Sequence, residues 1–419
     1  MPGRGYAEVI SIGDELLIGQ VINTNQAYIA KQINSVGIDV ARMVTVGDKP
    51  DEILGAFREG AGRASIVTVT GGLGPTHDDV TRSAVCTYLG AGLVLHPPTL
   101  RQIETIFSHR NMPVTSLNKD QANVPEGVDV ILNALGTAPG YRFTDEGATF
   151  FVMPGVPYEM HRMMEDWVVP YLRDHHSGGV IVHRTILTTG IAESILAEKL
   201  GDTEELLLHQ KELSLAYLPS PTGVRLRITA RGTDRRALER AVSTAESRIL
   251  ERGGKFVYGY DDENLETVLG RILVERRLSI AVAESCTGGL IVDRLTDVPG
   301  SSAYVERGFV CYSDDSKTEE LGVPAELVST HGAVSAEVAR AMAEGVRKTS
   351  GTDVGLSTTG IAGPGGGSPE KPVGLVFVGY ADSDGSLALR FVFGNDRRRI
   401  KERAAQAALE LLRKRLSAS

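Results

Sequence analysis

The sequence predicts an α/β protein of two or three domains, an expectation that rests on three observations. The chain has 419 residues, more than one hydrophobic core normally organises. Short apolar runs of strand length alternate with segments of helical spacing, the pattern of a parallel sheet covered by helices. Glycine-rich turns directly follow several of those runs, and sheets of this kind place their ligand sites at the carboxyl ends of strands.

In chain order, AEVISI after Tyr6 reads as a buried strand, and Ile29, Ile33 and Val36 then recur at helical spacing before Gly37, a natural helix stop. IDVARMVTV predicts a second strand, DEILGAFREG a second helix, and SIVTVTGG a third strand ending in glycines. A third helix is expected from near Asp78, and Pro157 suits the first turn of a final helix after MPGVP. Beyond Leu172 the polar, glycine-containing RDHHSGG marks a boundary, where His175 and His176 read as exposed linker residues because no acidic or cysteine partner accompanies them. The segments VIVHRTILTTG, AESILAEKLG, ELSLAYL, GVRLRITARG and DRRALERAVSTAESRIL then predict a strand, helix, strand, strand, helix module ending near Gly254. The last third opens on the amphipathic ENLETVLGRILVERRL and the strand SIAVAES. Strands follow at GFVCYS, DVGLST, VGLVFVGYA and SLALRFVFG, the last two joined by a turn at Asp384 and Gly385, and the chain closes on a long helix ending in Arg and Lys. The expected domains are 1–174, 175–255 and 256–419.

Charge and cysteine usage exclude several classes. Lys and Arg total 44 against 53 Asp and Glu, a net charge of -9 that repels phosphate backbones, so nucleic acid is a disfavoured partner. Cys86, Cys286 and Cys311 are odd in number and lack metal-type spacing, which fits a reducing cytoplasm. MPGRGYAEVISIGDELL carries no basic segment followed by an apolar core and cleavage site, and no apolar run reaches membrane-spanning length, so a soluble, unexported protein is expected.

TGGLGPTHDD, residues 70–79, follows a predicted strand and precedes a helical pattern. Glycines let a backbone approach an anionic ligand, and amides at a helix start donate to phosphate oxygens. Asp78 and Asp79 serve such a site only with a divalent cation between carboxylate and phosphate. The bland reading is a turn with an aspartate capping a helix. Gly13, Asp14 and Glu15 after the first strand, and MPGVPYEM after FFV, would bring further glycines and carboxylates to the same sheet edge.

IGDELL, TGGLGPTHDD, NALGTAPG and MPGVPYEM together resemble the N-terminal domain of the CinA family (competence/damage-inducible protein A), itself similar to the MoaB/MogA molybdopterin-binding proteins. The resemblance spans about residues 6 to 173 and implies a three-layer fold and metal-dependent hydrolysis of ADP-ribose to AMP and ribose 5-phosphate. It implies a phosphate cradle from Thr70, Gly71, Gly72, Gly74 and Thr76, with Gly155 and Glu159 beside it, and Asp78, Asp79 and Asp14 as metal-ligand candidates. Molybdopterin handling is the rival small-molecule function. Residues 176–254 resemble the family's KH-like middle domain, but no GXXG loop is present, and Arg225, Arg227 and Arg231 read as one solvated strand face. This module is expected to join catalytic domains or support a dimer.

AESCTGG, residues 283–289, leaves three readings open: Ser285 as nucleophile, Cys286 as nucleophile, or small polar residues starting a helix. It lacks the G-x-S-x-G pattern, and His331 is the only histidine after His209, so any activating base has to be another group. Lys317 qualifies if desolvation or a nearby cation favours its neutral form, because a lysine ordinarily titrates near pH ~10.4. AESCTGG, GSSAYVERGFVCYS, GAVS, TTGIAGPGGGSPEKPVG and GNDRRR resemble the C-terminal CinA/PncC domain, a nicotinamide mononucleotide deamidase. The resemblance implies Ser285 as nucleophile, Ser302 as proton relay, Lys317 as base and Tyr312 as a positioning group or relay. It places Thr287, Gly288, Gly289, Thr359 and Gly360 around the substrate and oxyanion, and Arg399, beside Arg397 and Arg398, on the substrate phosphate. No cofactor is expected for the deamidase, the two substrates are nicotinamide mononucleotide and ADP-ribose, and a homodimer is implied. The rival class is a regulatory or nucleic-acid-binding protein of DNA uptake.

Overall fold

The computed structural model describes residues 6–175, 179–220 and 222–418; His176 lies outside the described residues. Two compact units emerge, Met1–Val182 with Ala230–Glu239, and His183–Thr229 with Arg240–Ser419.

The first unit runs β1 (Tyr6–Ile12), α1 (Asp14–Leu17), α2 (Thr24–Ser35), β2 (Asp39–Val46), α3 (Pro50–Arg63), β3 (Ile66–Thr70) and α4 (Thr81–Leu89). It continues through β4 (Leu93–Leu95), α5 (Pro97–His109), α6 (Ser116–Asp120), β5 (Asn123–Pro125), β6 (Asp129–Ile131), β7 (Gly140–Asp145), β8 (Ala148–Met153), α7 (Pro157–Met163) and α8 (Val169–His175). Six strands form one sheet in the order β2-β1-β3-β8-β7-β6, parallel from β2 to β8 and antiparallel beyond. Ile10, Ile12, Val67 and Val69 pack with Ile53 and Phe57 of α3, whereas Ala7 and Val9 pack with Ile29 and Ile33 of α2 and Met160 and Met163 of α7. Burial on both faces is why these strands read as continuous apolar runs in the sequence.

The helix expected from near Asp78 begins instead at Thr81. The Asp79 carboxylate accepts from the Thr76 amide at 3.0 Å and from its hydroxyl at 2.6 Å, closing a turn that keeps residues 76–79 out of the helix. Pro157 does occupy the first turn of α7.

The middle module consists of β9 (Val180–Thr188), α9 (Glu193–Leu200), α10 (Thr203–Leu206), β10 (Leu213–Ser220), β11 (Gly223–Gly232), α11 (Arg235–Gly253) and β12 (Val257–Tyr260). The sheet order β10-β11-β9-β12 adds a fourth strand, and α10 a short helix, to the predicted pattern. Val224, Leu226 and Ile228 are buried while Arg225, Arg227 and Arg231 are exposed, the solvated strand face expected of the alternation.

The C-terminal portion comprises α12 (Leu265–Arg276), β13 (Ile280–Glu284), α13 (Leu290–Thr296), β14 (Val305–Val310), α14 (Asp314–Leu321), α15 (Ala325–His331), α16 (Ala336–Ser350), β15 (Val354–Gly360), β16 (Leu375–Asp382), β17 (Gly385–Val392) and α17 (Arg397–Ala418). Its sheet order is β14-β13-β15-β16-β17, with β14, β13 and β15 parallel. Ile280 and Val282 face Leu269 of α12, Ile291 of α13 and Leu409 of α17, while Ala281 and Ala283 face Leu321 of α14, Val328 of α15 and Met342 of α16. The strand predicted over GFVCYS starts earlier, at Val305, and ends at Val310. Cys311 and Tyr312 are thereby moved onto the turn at the sheet edge, where ligand chemistry collects.

Candidate functional site

Ser285 follows β13 directly, and its amide still bonds the Thr358 carbonyl at 3.0 Å, so the β ladder persists to this residue. The side chain is 8% exposed, and its hydroxyl makes no hydrogen bond among the described residues. Helix capping does not hold it. The fully buried Glu284 carboxylate accepts from the amides of Gly289 at 3.0 Å, Ile291 at 3.0 Å and Val292 at 2.9 Å, saturating the start of α13. Strand alternation sends Glu284 to the α13 side and puts Ser285 on the side of α14. Glu284 is a positioning residue that the local sequence pattern missed, since a carboxylate just before a small polar residue looks like the end of a strand.

Gly288 and Gly289 adopt φ values of 62° and 93°, a left-handed turn that favours glycine. The Gly289 amide is spent on Glu284, whereas among the described residues the Thr287 and Gly288 amides donate to no acceptor. Two unspent donors beside a free hydroxyl are the elements of an oxyanion site. Replacing Glu284 with Gln should cost about 2–4 kcal/mol, because an NH2 group would then face amide donors, and a fall in the urea-unfolding midpoint checks it.

Cys286 is 5% exposed within the apolar cluster, and burial pushes its thiol up to about 12. It is a neutral thiol near pH 7, which removes the thiolate that a cysteine mechanism needs. The Thr287 and Thr358 hydroxyls bond each other at 2.7 Å in the interior, so the Thr287 side chain serves the turn.

Lys317, near the start of α14, is 1% exposed. Its Nζ donates to the carbonyls of Tyr312 at 3.3 Å and Ser313 at 3.1 Å and lies 3.7 Å from Asp314. The Tyr312 hydroxyl accepts from Arg397 at 3.2 Å, and the same guanidinium donates to the Gly363 carbonyl at 2.7 Å, tying α17 to the GPGGG loop. Arg398 is engaged by Glu402, and Arg399 is fixed by its amide to Asp396. Of the three arginines, Arg397 is the one whose guanidinium bonds Tyr312 and the GPGGG loop. Lys401, one turn along the helix, was not singled out by sequence; a Cβ built on Gly288 would lie 3.3 Å from its Nζ. Among the described residues it has no hydrogen-bond or ion-pair partner.

Ser302 is not brought to this edge. It is exposed on the helical turn Ser301–Ala303 that precedes β14, and Val305 at the start of β14 pairs with Ile280 at the start of β13. It therefore lies at the end of β13 opposite Ser285. Thr359 is buried with its hydroxyl donated to the Ala333 carbonyl, and a Cβ at Gly360 would meet the Leu375 carbonyl at 2.7 Å. Both shape the strand edge through the backbone.

In the first unit, the carboxyl ends of β1, β3 and β8 border a cavity of about 460 Å³. Gly71, Gly72, Gly74, Gly155 and Glu159 line it, as does Thr70, whose hydroxyl donates to the Pro154 carbonyl. A Cβ at Gly71 would lie 2.1 Å from the Ile12 carbonyl oxygen, so close backbone approach demands this glycine. Glu159 accepts from Asn133 at 2.7 Å, and through it the NALGTAPG loop is anchored. Thr76 turns to Asp79 and does not line the cavity. Asp78 and Asp79 do, but the carboxylates that join them are Glu15, after β1, and Asp48, after β2, rather than Asp14. Instead the Asp14 amide donates to the Asp48 carboxylate at 2.9 Å, and the Asp48 amide donates to the Asp14 carboxylate at 3.3 Å.

Burial, followed by the carboxylates of Asp14, Glu15 and Asp79, holds Asp48 above the usual carboxylate range. Among the described residues no three His, Cys, Asp or Glu side chains converge as a metal-ligating group. The donor set nevertheless fits a hard cation of the magnesium type, which takes one or two carboxylates and draws other ligands from substrate phosphates.

Comparison with known proteins covers most of the chain. Residues 8–174 match the model of a "Probable molybdopterin binding domain", 183–259 the "Damage-inducible protein CinA KH domain" and 262–416 the "CinA C-terminal domain". A CinA-like protein of Chloroherpeton thalassium is 44% identical over 421 residues, covering 99% of this chain and 100% of its own length. A second, from Gemmatimonas aurantiaca, is 45% identical over 415 residues, 97% of this chain and 95% of its own. A crystal structure of a competence/damage inducible protein from Agrobacterium tumefaciens is 42% identical, covers 37% of this chain and 97% of its own, and superposes with a TM-score of 0.35. Among the described residues no helix is long and apolar enough to cross a membrane.

Proposed function

The chain belongs to the CinA family, joining a MoaB/MogA-like N-terminal domain, a KH-like middle domain and a CinA C-terminal domain, and from that premise we propose that it is a two-site nucleotide hydrolase. The C-terminal site deamidates nicotinamide mononucleotide to nicotinate mononucleotide and ammonia. The N-terminal cavity hydrolyses ADP-ribose to AMP and ribose 5-phosphate. Both reactions recycle breakdown products of a pyridine dinucleotide, and a cytoplasmic homodimer is part of the proposal.

The observation that carries the first reaction is the Ser285 hydroxyl, relieved of capping by Glu284 and set beside two unspent amides. In this mechanism Ser285 Oγ attacks the carboxamide carbon while Lys317 Nζ takes the hydroxyl proton. The mechanism needs Lys317 as the neutral amine, whose two N–H groups match the Tyr312 and Ser313 carbonyls and whose lone pair then takes the proton. The tetrahedral oxyanion draws on the Thr287 and Gly288 amides. Its collapse breaks the C–N bond, the Lys317 proton leaves with ammonia, and water activated by the same amine hydrolyses the serine ester. Arg397, with Lys401 one turn away, provides the positive charge for the 5′-phosphate, and Tyr312 orders Arg397.

Purified full-length protein given nicotinamide mononucleotide should release ammonia and nicotinate mononucleotide in equal amounts; folded protein that releases neither sinks this reading. Arg397→Ala should raise KM by about 10- to 100-fold, the worth of a charge-assisted hydrogen bond, and affect kcat less. Arg399→Ala should leave KM near that of the parent. The reverse order in steady-state kinetics would return the phosphate to Arg399.

In the N-terminal cavity one or two of the carboxylates of Asp48, Glu15, Asp78 and Asp79 would hold the divalent cation, and Asp14 positions Asp48. When bound, the cation offsets the diphosphate charge and polarises the phosphoryl group. The glycine loops admit the diphosphate to within reach of backbone amides. A nucleic-acid role finds no comparable feature: the net charge is -9, and Arg231 of the exposed arginine face pairs with Asp39.

A further inference from the structure

Gln121 stands outside every motif that marks the N-terminal cavity, yet it lines that cavity at the end of α6. It is 3% exposed, and among the described residues neither Nε2 nor Oε1 has a hydrogen-bond partner. Ser11, 1% exposed, and Asn25 line the same cavity, and among the described residues the Ser11 hydroxyl and Asn25 Oδ1 are likewise unpartnered. Buried polar atoms are nearly always paired, so an amide with both ends free inside a cavity wall calls for a partner that enters from the cavity. Gln121 differs from its polar neighbours in this respect. Asn133 spends its amide on the Ala138 carbonyl, Glu159 and two backbone amides, and Thr70 spends its hydroxyl on Pro154.

The end of a side-chain amide presents a donor and an acceptor side by side in a single plane. Its complement is a flat group with an acceptor and a donor side by side, which neither a phosphate nor a sugar hydroxyl supplies as a rigid pair. Adenine does, through its 6-amino group and the adjacent ring nitrogen, and glutamine pairs with it in this bidentate way. The carboxylates Glu15, Asp48, Asp78 and Asp79 and the glycine loops provide separately for a diphosphate with its cation. We propose that Gln121 is the residue that recognises the base of an adenine nucleotide in this cavity, accepting from the 6-amino group and donating to the ring nitrogen. The proposal rests on reading the cavity as a nucleotide site, but it does not require hydrolysis there.

The test is equilibrium binding to the full chain with three probes: AMP, purine riboside 5′-monophosphate, which lacks the 6-amino group, and ribose 5-phosphate, which lacks the base. The parent protein should bind AMP more tightly than purine riboside 5′-monophosphate. In Gln121→Leu, AMP affinity should fall by about 10- to 100-fold and the preference should vanish, with ribose 5-phosphate binding unchanged. Should the leucine variant fail to fold, Gln121→Glu keeps the size and the acceptor but loses the donor, so it should weaken AMP and purine riboside 5′-monophosphate, which share the ring nitrogen, and leave ribose 5-phosphate unchanged. AMP affinity unaffected by either substitution, equal loss for all three probes, or Gln121-dependent binding of neopterin without binding of AMP would overturn the proposal. Gln121-dependent AMP binding in a protein that does not hydrolyse ADP-ribose would refute the hydrolase reading and leave this assignment standing.

Discussion

Ser285→Ala is expected to abolish ammonia release from nicotinamide mononucleotide, lowering kcat by roughly 10⁴-fold or more, as removal of a covalent nucleophile does elsewhere. The substitution removes one oxygen from a side chain that holds up nothing else, because among the described residues the hydroxyl has no hydrogen bond and Glu284 caps α13. Stability should therefore stay close to that of the parent, which separates a chemical loss from a folding loss. Cys286→Ala should retain turnover, since burial pushes that thiol up to about 12 and leaves it protonated throughout the working range. A serine variant with parental activity, paired with an inactive Cys286→Ala, would transfer the chemistry to the thiol.

Removal of the Lys317 amine is expected to lower kcat by about 10²- to 10⁴-fold, the usual worth of a general base. Here structure and chemistry are entangled. The buried amine satisfies the Tyr312 and Ser313 carbonyls, and losing it costs about 1–3 kcal/mol through the unpaired acceptors. Lys317→Ala leaves a cavity that a small primary amine can enter, so adding ethylamine should restore part of the turnover. A merely structural lysine predicts a variant with lowered stability and no recovery of rate at saturating amine. Absence of rescue in a variant that remains folded at the assay temperature, together with residual kcat near the parent value, would remove Lys317 from the mechanism.

Much of this protein was legible before its fold was known. The apolar runs of β1, β3 and β13 announced themselves because strands buried on both faces carry little else. The glycine turns behind them marked the sheet edges where the cavity and the serine lie. Local pattern failed where two polar groups compete for the same backbone donors. Ser285 reads as a natural cap, yet Glu284 reaches the amides of α13 because alternation at the end of β13 points it there. Asp78 and Asp79 read as a helix start, but Asp79 is drawn back to Thr76 and the helix waits until Thr81.

Sequence by itself determined the family, the α/β class, the order of elements and the two loops that carry glycine beside reactive or acidic groups. These follow from local properties: side-chain volume, periodicity and the conformational freedom of glycine. Only the tertiary structure joined Arg397 to Tyr312, left Ser302 at the opposite end of β13, set Asp48 rather than Asp14 on the cavity wall and left the amide of Gln121 unpaired among the described residues. Each of those outcomes depends on which groups meet across long stretches of chain. The periodicity of one segment carries no information about the hydrogen-bond partner that a distant segment will present to it.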